Sequence, residues 1–363
     1  MTPTIDFADR LRRFRAELAA TEAQAALISA RANIRYLSGF TGTYGALLVD
    51  GSTAFLISDF RYRYQAAEQA PDFEFIEIRR WVDGVAGAIR RRGRQPVGFE
   101  TAHLTYQLHA QLAAELDGIA LAPLEGLVEK LRVVKDAAEL NCIERAAAIT
   151  DGAVSRVMAL VRVGVTEREL ALAAEDFIRK EGGAELAFPP IVASGARSAQ
   201  CHAEPGAREL AAGDMVVIDV GARWQGYGAD LTRTVAVKRA QPAQREIYAV
   251  CRQAQAAGLA AVKAGAGCGD LDRVARAVIE EAGYGEYFGH GLGHGVGLET
   301  AELPRLTASE ESTLSAHMTV TVEPGIYTVE AGGVRLEDLV VVTEDGCRVL
   351  TEAPKPPELP ALG

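Results

Sequence analysis

The alternation of apolar and polar residues predicts a first third built from short strands and helices. Short apolar runs bounded by glycine or aspartate are typical of strands, and apolar residues spaced three or four apart are typical of helices. The predicted strands are 25–29, 46–49, 54–57, 73–78 and 97–99, and the predicted helices are 5–20, 62–70, 82–92 and 102–117. Strands that alternate with helices indicate an α/β domain with a mixed sheet.

Longer helices follow, marked by their start and stop signals. Two starts have the spacing of a capping box, in which an N-terminal side chain and a later carboxylate satisfy each other's backbone donors. A third start is a proline, which is favoured at the first helical position. The predicted starts are Asp136, Thr166, Pro242 and Asp270, and the last three helices are predicted to end near Gly182–Gly183, Gly265 and Gly283. Strand groups lie between and after these helices, which predicts two similar α/β halves.

The stretch MVVIDVGARWQGYGADLTRTVAV, residues 215–237, predicts two strands, 215–220 and 231–237, joined by a turn that contains glycine. Each strand carries an aspartate, Asp219 or Asp230, where a core strand is normally apolar. In an antiparallel pair the two carboxylates would face one another. A buried carboxylate needs a cation, hydrogen bonds or a metal. The alternative is that each aspartate caps a turn and faces water.

Three later motifs add an imidazole and two more carboxylates beside apolar strands. His294 lies in the motif GHGLGHGVGLE, which predicts a glycine-rich loop. Glu323, in VTVEPGI, is predicted to end one apolar strand, and Glu337, in GVRLEDLVVV, to enter another. Two divalent cations would neutralise the four carboxylates. Carboxylate oxygens with one imidazole and no thiolate favour Mn²⁺, Co²⁺, Fe²⁺ or Zn²⁺ at a non-structural site. Two such ions about 3.5–4 Å apart generate hydroxide near neutral pH. A surface histidine and a turn-capping glutamate remain the alternatives.

These motifs, in this order, resemble those of the pita-bread metallopeptidases, which include methionine aminopeptidase, aminopeptidase P and Xaa-Pro dipeptidase (prolidase). The resemblance covers about residues 135–350. It implies a dinuclear metal centre. The implied metal ligands are Asp219, Asp230, His294, Glu323 and Glu337.

The first third also resembles the accessory domain of the proline-specific branch, in NIRYLSGFTG and DFRYRYQA. The implied fold is α/β (α+β). A creatinase-like accessory domain with a mixed sheet is expected over residues 1–128, and a pita-bread catalytic domain over residues 129–363. The resemblance also implies a homodimer.

The resemblance implies three catalytic residues. Glu323 is expected to take a proton from the bridging water, because a carboxylate beside both the nucleophile and a cation is placed for that transfer. His202 resembles a histidine that contacts the scissile carbonyl or the tetrahedral intermediate, and His290 resembles one that contacts substrate. Either histidine is alternatively a surface residue.

Further residues are implied in substrate binding. Arg305 resembles an arginine that binds the free C-terminal carboxylate of a dipeptide, a task suited to a planar guanidinium. Phe188 is expected to wall the pocket for the proline ring, and Arg335 and Tyr227 to orient the metal ligands. One position departs from the family. Where the family usually has a further histidine, this sequence has Ala301, which affects leaving-group protonation and substrate preference.

Charge and cysteine usage limit the remaining classes of function. The net charge of −11 disfavours nucleic acid as a partner. The five cysteines are scattered and odd in number, which fits a reducing cytoplasm. The N-terminus lacks the apolar core of a signal peptide, and no apolar run is long enough to cross a membrane.

The sequence therefore predicts a cytoplasmic, metal-dependent peptidase that hydrolyses the Xaa-Pro bond of dipeptides by attack of a metal-bridging hydroxide, with Mn²⁺ as the expected metal. An aminopeptidase P that acts on longer Xaa-Pro peptides is the second hypothesis. A non-catalytic binding protein on the same fold is the third. The substrates expected are proline-containing dipeptides or short peptides, with neither nucleic acid nor membrane as a partner.

Overall fold

The structure is a computed structural model that describes residues 4–93, 95–182 and 184–363. The chain divides into two compact units, Thr4–Arg132 and Val133–Gly363. The elements up to their junction are α1 (Phe7–Ala19), β1 (Ala25–Ile28), α2 (Arg31–Ser38), β2 (Ala46–Asp50), β3 (Ala54–Ser58), α3 (Arg63–Gln69), β4 (Glu74–Glu77), α4 (Trp81–Arg90), β5 (Val97–Glu100), α5 (Tyr106–Glu115), β6 (Leu121–Leu124) and α6 (Glu129–Val133).

The N-terminal unit is built on a six-stranded sheet in the order β4-β3-β2-β1-β5-β6. Strand β2 is antiparallel to both of its neighbours, and the other pairs are parallel. The predicted mixed sheet is therefore confirmed. Leu27, Leu48 and Val85 belong to its buried core.

Three elements up to the junction were not predicted, α2, β6 and α6. Helix α2 has no side-chain cap at Ala30, so its start carries no polar signal. It ends at Gly39, whose left-handed φ of 78° suits glycine. Strand β6 contains Pro123, which is confined to sheet edges because it cannot donate a backbone hydrogen bond.

The C-terminal unit repeats a pattern of two helices followed by strands. Its elements are α7 (Ala137–Met158), α8 (Glu167–Lys180), β7 (Glu185–Leu186), β8 (Ile191–Ser194), β9 (Met215–Val220), β10 (Ala222–Trp224), β11 (Tyr227–Gly228), β12 (Leu231–Val237), α9 (Pro242–Ala261), α10 (Cys268–Glu281), β13 (Gly293–Gly295), β14 (Glu302–Leu306), β15 (Thr319–Val322), β16 (Gly325–Thr328), β17 (Gly332–Arg335), β18 (Asp338–Val342), β19 (Cys347–Val349) and β20 (Ala361–Leu362).

The two halves of this unit have separate sheets and separate apolar cores. One sheet has the order β20-β12-β9-β8, and residues of α7 and α8 pack on it. The other has the order β14-β13-β15-β18-β19, and residues of α9 and α10 pack on it. The hairpin β16–β17 and the small sheet β11-β10-β7 complete the unit. The predicted pair of α/β halves is confirmed.

The predicted helix starts are accurate and the ends less so. Both capping boxes are formed, Asp136 with Glu139 and Thr166 with Glu169. Helix α9 starts at Pro242 as predicted but ends at Ala261. Helix α10 begins at Cys268 and ends at Glu281. Helix α8 ends at Lys180; of the two glycines predicted to stop it, Gly183 lies outside the described residues.

The proline-rich segment 353–360 leads into β20, the edge strand of the sheet β20-β12-β9-β8. Strand β20 pairs in parallel with β12, and the backbone nitrogen of Ala236 donates to the oxygen of Pro360 at 2.8 Å. Arg233, buried at the centre of β12, donates to the oxygen of Ala353 at 2.7 Å and forms an ion pair with Asp338. No helix among the described residues has the length and apolarity needed to cross a membrane.

Candidate metal centre and substrate site

Asp219 and Asp230 come together through the antiparallel pairing of β9 and β12. Thr232 lies directly opposite Asp219, and Asp230 precedes the first residue of β12. Asp219 and Asp230 are therefore diagonal neighbours on one face of the ladder. The connection between the strands is more structured than the predicted turn, because β10 and β11 form within it.

His294 lies in strand β13, whereas the sequence placed it in a glycine-rich loop. The glycines on either side are required by close packing, since a Cβ at Gly293 would overlap the oxygen of Thr321 and one at Gly295 the oxygen of Leu303. His294 Nδ1 lies 3.1 Å from the oxygen of Gly295. A carbonyl accepts, so Nδ1 carries a proton and Nε2 is the atom available to a metal.

The two glutamates occupy the ends of neighbouring strands of the second sheet. Glu323 follows β15 and accepts a hydrogen bond from the Thr321 hydroxyl at 2.9 Å. Glu337 precedes β18, and its carboxylate accepts from the Thr232 hydroxyl at 2.7 Å. The bond from Thr232 joins the two sheets at the site.

The predicted metal ligands converge. Carboxylate oxygens of Asp219, Asp230 and Glu337 lie within 4.8 Å of one another. His294 Nε2 lies 3.2 Å from Glu323 Oε1 and 3.7 Å from Asp230 Oδ2. Asp219 and Asp230 are each 7% exposed and Glu337 is 1% exposed, so the carboxylates meet away from bulk water.

The electrostatics of the cluster are unfavourable without further cations. Burial, followed by the charges of Glu337 and Asp219, raises the pKa of Asp230 well above its ordinary value. Burial and the charges of Glu323 and Asp219 do the same to the pKa of Glu337. Burial opposes charge on His294, yet its contact with Glu323 raises the pKa of the imidazole.

The donor set fits divalent metal ions. One oxygen of each of Asp219, Asp230 and Glu337 is buried and has no hydrogen-bond partner. An unsatisfied buried carboxylate oxygen is costly, and a metal ion satisfies it. Oxygen donors and an imidazole nitrogen suit Mn²⁺, Co²⁺, Fe²⁺ or Zn²⁺.

Arg335 joins the cluster to residues beyond it. Its Nη2 forms a short ion pair with Asp219 Oδ2, and its Nε donates to the Thr232 hydroxyl at 3.0 Å. Its Nη1 donates to the Tyr327 hydroxyl at 3.0 Å and to the backbone oxygen of Cys201 at 3.2 Å. The guanidinium thus contacts one proposed ligand directly and reaches a second, Glu337, through Thr232.

His290 lies at the end of this network. Its Nε2 is 3.0 Å from the Tyr327 hydroxyl and its Nδ1 is 2.8 Å from the oxygen of Gly291. The Tyr327 oxygen accepts from Arg335, so its own proton is free to be donated to His290 Nε2. His290 is then neutral with its proton on Nδ1, and burial, which lowers the pKa of His290, favours the same form.

His202 is exposed and lies in the segment after β8. Hydrogen bonds to Glu167 and to Arg335 hold this segment in place. The buried Glu167 carboxylate accepts from the backbone nitrogens of Ser194 and Gly206, at 2.8 and 3.0 Å. Arg335 donates to Cys201, the residue before His202. The segment therefore passes beside the acidic cluster, and the role of His202 stays a prediction.

Arg305 and Phe188 lie near the cluster. Arg305 is directly opposite His294 in the β13–β14 pair, and opposite residues of a ladder project on the same face. Its exposed guanidinium makes a long hydrogen bond of 3.4 Å to the oxygen of Ala301. The Phe188 ring packs against Gly221. Gly221 lies two residues after Asp219, in the part of the chain that leads to Asp230.

Tyr227 forms a hydrogen bond with helix α7, whereas the sequence predicts that it orients the metal ligands. Its buried hydroxyl donates to Glu139 Oε1 at 3.1 Å, in the capping box of α7. That bond anchors β11 to the helix. A part for Tyr227 in orienting the metal ligands stays a prediction.

Sequence reasoning did not find Thr232, Thr321 and Tyr327. Each lies two residues from a motif residue on an apolar strand: Thr232 from Asp230, Thr321 from Glu323 and Tyr327 from Gly325. Period-two alternation was the available signal, since it places such residues on the same face as the motif residue. Threonine and tyrosine are common in strands in general, so the alternation alone does not distinguish these three as site residues.

A pita-bread unit with a buried acidic cluster is the arrangement of a metal-dependent hydrolase, and two family models agree with it. "Metallopeptidase family M24" matches residues 141–344, and "Creatinase/Prolidase N-terminal domain" matches residues 10–134. The chain belongs to metallopeptidase family M24 and is a peptidase.

The chain is similar along almost its whole length to proteins named Xaa-Pro dipeptidase and X-Pro aminopeptidase. It is 35% identical to the Xaa-Pro dipeptidase of Pyrococcus horikoshii, over 90% of this chain and 92% of that one. A solved Xaa-Pro dipeptidase from Bacillus anthracis superposes with a TM-score of 0.93 at 39% identity, covering 97% of this chain and 99% of the other. An X-Pro aminopeptidase from Thermotoga maritima superposes with a TM-score of 0.89 at 35% identity, with the same coverage.

Proposed function

We propose that this protein is an Xaa-Pro dipeptidase that uses two divalent metal ions, with Mn²⁺ as the physiological metal. The observation that carries the metal-dependent chemistry is the convergence of Asp219, Asp230 and Glu337, each with one buried oxygen that lacks a partner. Such a cluster is costly unless metal ions bind it, and all five proposed ligands are present, which favours an enzyme over a binding protein that has lost its metal.

Arg305 favours dipeptides over longer peptides. Relatives named Xaa-Pro dipeptidase and X-Pro aminopeptidase resemble this chain to a similar degree, so the comparisons do not separate the two activities. Arg305 lies opposite the proposed ligand His294 and is exposed. A planar guanidinium there would bind a carboxylate bidentately, and a dipeptide presents its C-terminal carboxylate next to the scissile bond.

The residues around the cluster have distinct parts in the proposed hydrolysis. When bound by the five ligands, divalent ions supply a Lewis acid for the substrate carbonyl and a hydroxide nucleophile near neutral pH. Glu323 accepts the proton of the attacking water and delivers it to the proline nitrogen. His202 faces the developing negative charge on the carbonyl oxygen. Phe188 covers the proline ring, and His290 contacts the substrate on the Tyr327 side.

The proposed setting is the cytoplasm, and the proposed assembly is a homodimer. All five cysteines are free, as a reducing compartment favours. The substrates are dipeptides with proline in second position, and neither nucleic acid nor membrane is an expected partner, given the net charge of −11.

Hydrolysis of Ala-Pro and Ala-Pro-Ala by the Mn²⁺-loaded protein tests the proposal. We expect preferential release of proline from Ala-Pro, and loss of both activities in Asp230→Asn, which keeps the shape of a ligand and removes its charge. Faster cleavage of Ala-Pro-Ala would instead establish an aminopeptidase. A folded protein that binds no stoichiometric metal and cleaves neither peptide would support the binding-protein hypothesis.

A further inference from the structure

Helix α10 carries an ion pair between a buried carboxylate and a partly exposed guanidinium, and this pair has no part in the proposed reaction. Asp272 is fully buried and accepts two hydrogen bonds from Arg276, at 2.9 and 3.0 Å. It also accepts from the backbone nitrogen of Leu292 at 2.9 Å. Leu292 directly precedes β13, so this carboxylate fixes the point at which the chain enters the strand of His294.

The guanidinium of Arg276 holds the segment before that strand. Its Nη1 donates to the oxygen of Phe288 at 2.7 Å, and its Nη2 donates to the oxygen of His290 at 2.7 Å. Its Cζ also lies 4.2 Å from the centroid of the Phe288 ring. Residues 288–291 form neither helix nor strand, so the carbonyls of Phe288 and His290 are satisfied by this side chain and not by a strand or helix partner.

His290 is held between this guanidinium and the metal cluster. The edge of its ring meets Phe288 at a centroid distance of 5.0 Å. Its nitrogens are engaged by Gly291 on one side and Tyr327 on the other. A shift of the backbone at Phe288 or His290 would therefore misplace the imidazole relative to Tyr327.

We propose that Asp272 and Arg276 are positioning residues that set the place of the His290 imidazole in the substrate site. This proposal rests on the proposed function of His290. Arginine is required because its fixed fork reaches two backbone oxygens while it pairs with a carboxylate, and a lysine ammonium cannot reproduce that geometry. An ion pair with one buried and one partly exposed partner adds little net stability, so stability alone does not account for it.

The test is Arg276→Lys, which keeps the charge beside Asp272 and removes the fork. The matched control is Arg273→Lys, an exposed arginine on the same helix that pairs with Asp270. We expect kcat/KM for Ala-Pro to fall by about 10²-fold in Arg276→Lys, the usual scale for a small misplacement of a site group. Arg273→Lys is expected to match the wild type, and both variants to bind the wild-type amount of Mn²⁺.

A double-mutant cycle with His290→Ala separates positioning from a general structural effect. If Arg276 acts through His290, then Arg276→Lys adds little further loss once His290 is removed. Fully additive losses would overturn the proposal. If Arg276→Lys does not fold, Asp272→Asn, which removes the charge that pairs with Arg276, takes its place in the cycle.

A spectroscopic measurement tests the positioning of His290 without relying on hydrolysis of Ala-Pro. The Nδ1 proton of His290 is identified in ¹H–¹⁵N spectra by its loss in His290→Ala. We expect this signal to shift or exchange away in Arg276→Lys and to persist in Arg273→Lys, whether or not the protein hydrolyses Ala-Pro. An unchanged signal in Arg276→Lys would contradict the proposal, and a wild type that is inactive would contradict the proposed function alone.

Discussion

At the scale of residues, the site depends on hydroxyl groups that connect charged side chains. The Thr321 hydroxyl accepts from the backbone of His294 at 3.1 Å and donates to Glu323 at 2.9 Å. The Thr232 hydroxyl accepts from Arg335 and donates to Glu337. A hydroxyl both donates and accepts, so each threonine fixes the orientation of a carboxylate while adding no charge to the cluster.

Arg305→Ala tests substrate length at a single residue. We expect kcat/KM for Ala-Pro to fall by about 10²-fold or more, because a charge-assisted bidentate contact contributes about 1.5–3 kcal/mol per hydrogen bond. Turnover of Ala-Pro-Ala should change far less. Steady-state kinetics on both peptides give the answer, with Arg348→Ala, an exposed arginine of β19, as the control. Equal losses on the two peptides would argue against carboxylate recognition by Arg305.

At the scale of elements, sequence patterns located the strands of the two aspartates well, because β9 is an apolar run interrupted by Asp219 and β12 follows a period-two pattern directly after Asp230. Strands β9 and β12 have the predicted bounds, and Glu323 and Glu337 lie at strand ends as expected. Strand β13 was taken for a loop, because its three residues are two glycines and a histidine. Glycine has low strand propensity, and here tertiary packing that excludes a Cβ overrides that propensity.

The β2–β3 hairpin of the N-terminal unit provides a prediction on pH. Asp50 accepts from Ser52, from Thr53 and from Arg92 of the segment after α4. Burial opposes the charge, but these hydrogen bonds lower the pKa of Asp50. The stabilisation is therefore complete above the unfolded-state pKa of about 3.9 and is lost as the pH falls toward the lower folded-state pKa.

We expect Asp50→Asn to destabilise the N-terminal unit by about 1–3 kcal/mol at pH 7, because hydrogen bonds to a charged acceptor are lost. The difference from the wild type should shrink as the pH falls below about 4, because the Asp50 carboxylate of the unfolded wild type becomes protonated there while that of the folded state does so only at lower pH. Thermal unfolding at several pH values measures this, with the exposed Asp72→Asn as the control. A difference that is independent of pH would show that the charge of Asp50 has no such part.

At the scale of the whole molecule, metal removal should destabilise the C-terminal unit, because the acidic cluster is then left without its cations. Chelation leaves buried carboxylates facing one another, whereas bound metal at a hundredfold excess over Kd stabilises by about 2.7 kcal/mol. We expect the melting temperature of the C-terminal unit to fall by roughly 5–10 °C on chelation. Without metal, Asp230→Asn should melt no lower than the wild type, and added Mn²⁺ should not raise its melting temperature as it does that of the wild type. Identical melting of the chelated and loaded wild type would contradict a buried metal centre.

The overall plan was more predictable than the contacts that complete it. Capping boxes, proline and apolar runs are local signals, so the two α/β halves could be predicted from them. The bonds of Arg276 to Phe288 and His290 and the bonds of Arg335 to Tyr327 and Cys201 depend on residues that only the folded chain brings together. No local pattern encodes such contacts, so they had to be found in the structure.

The proposed ligands are divided between two sheets, with Asp219 and Asp230 on one and His294, Glu323 and Glu337 on the other. Neither sheet holds enough donors for two ions by itself. Tight metal uptake during refolding should therefore begin when the halves of the C-terminal unit dock. A fluorescent chelator that loses its metal to the protein would then time that docking step directly.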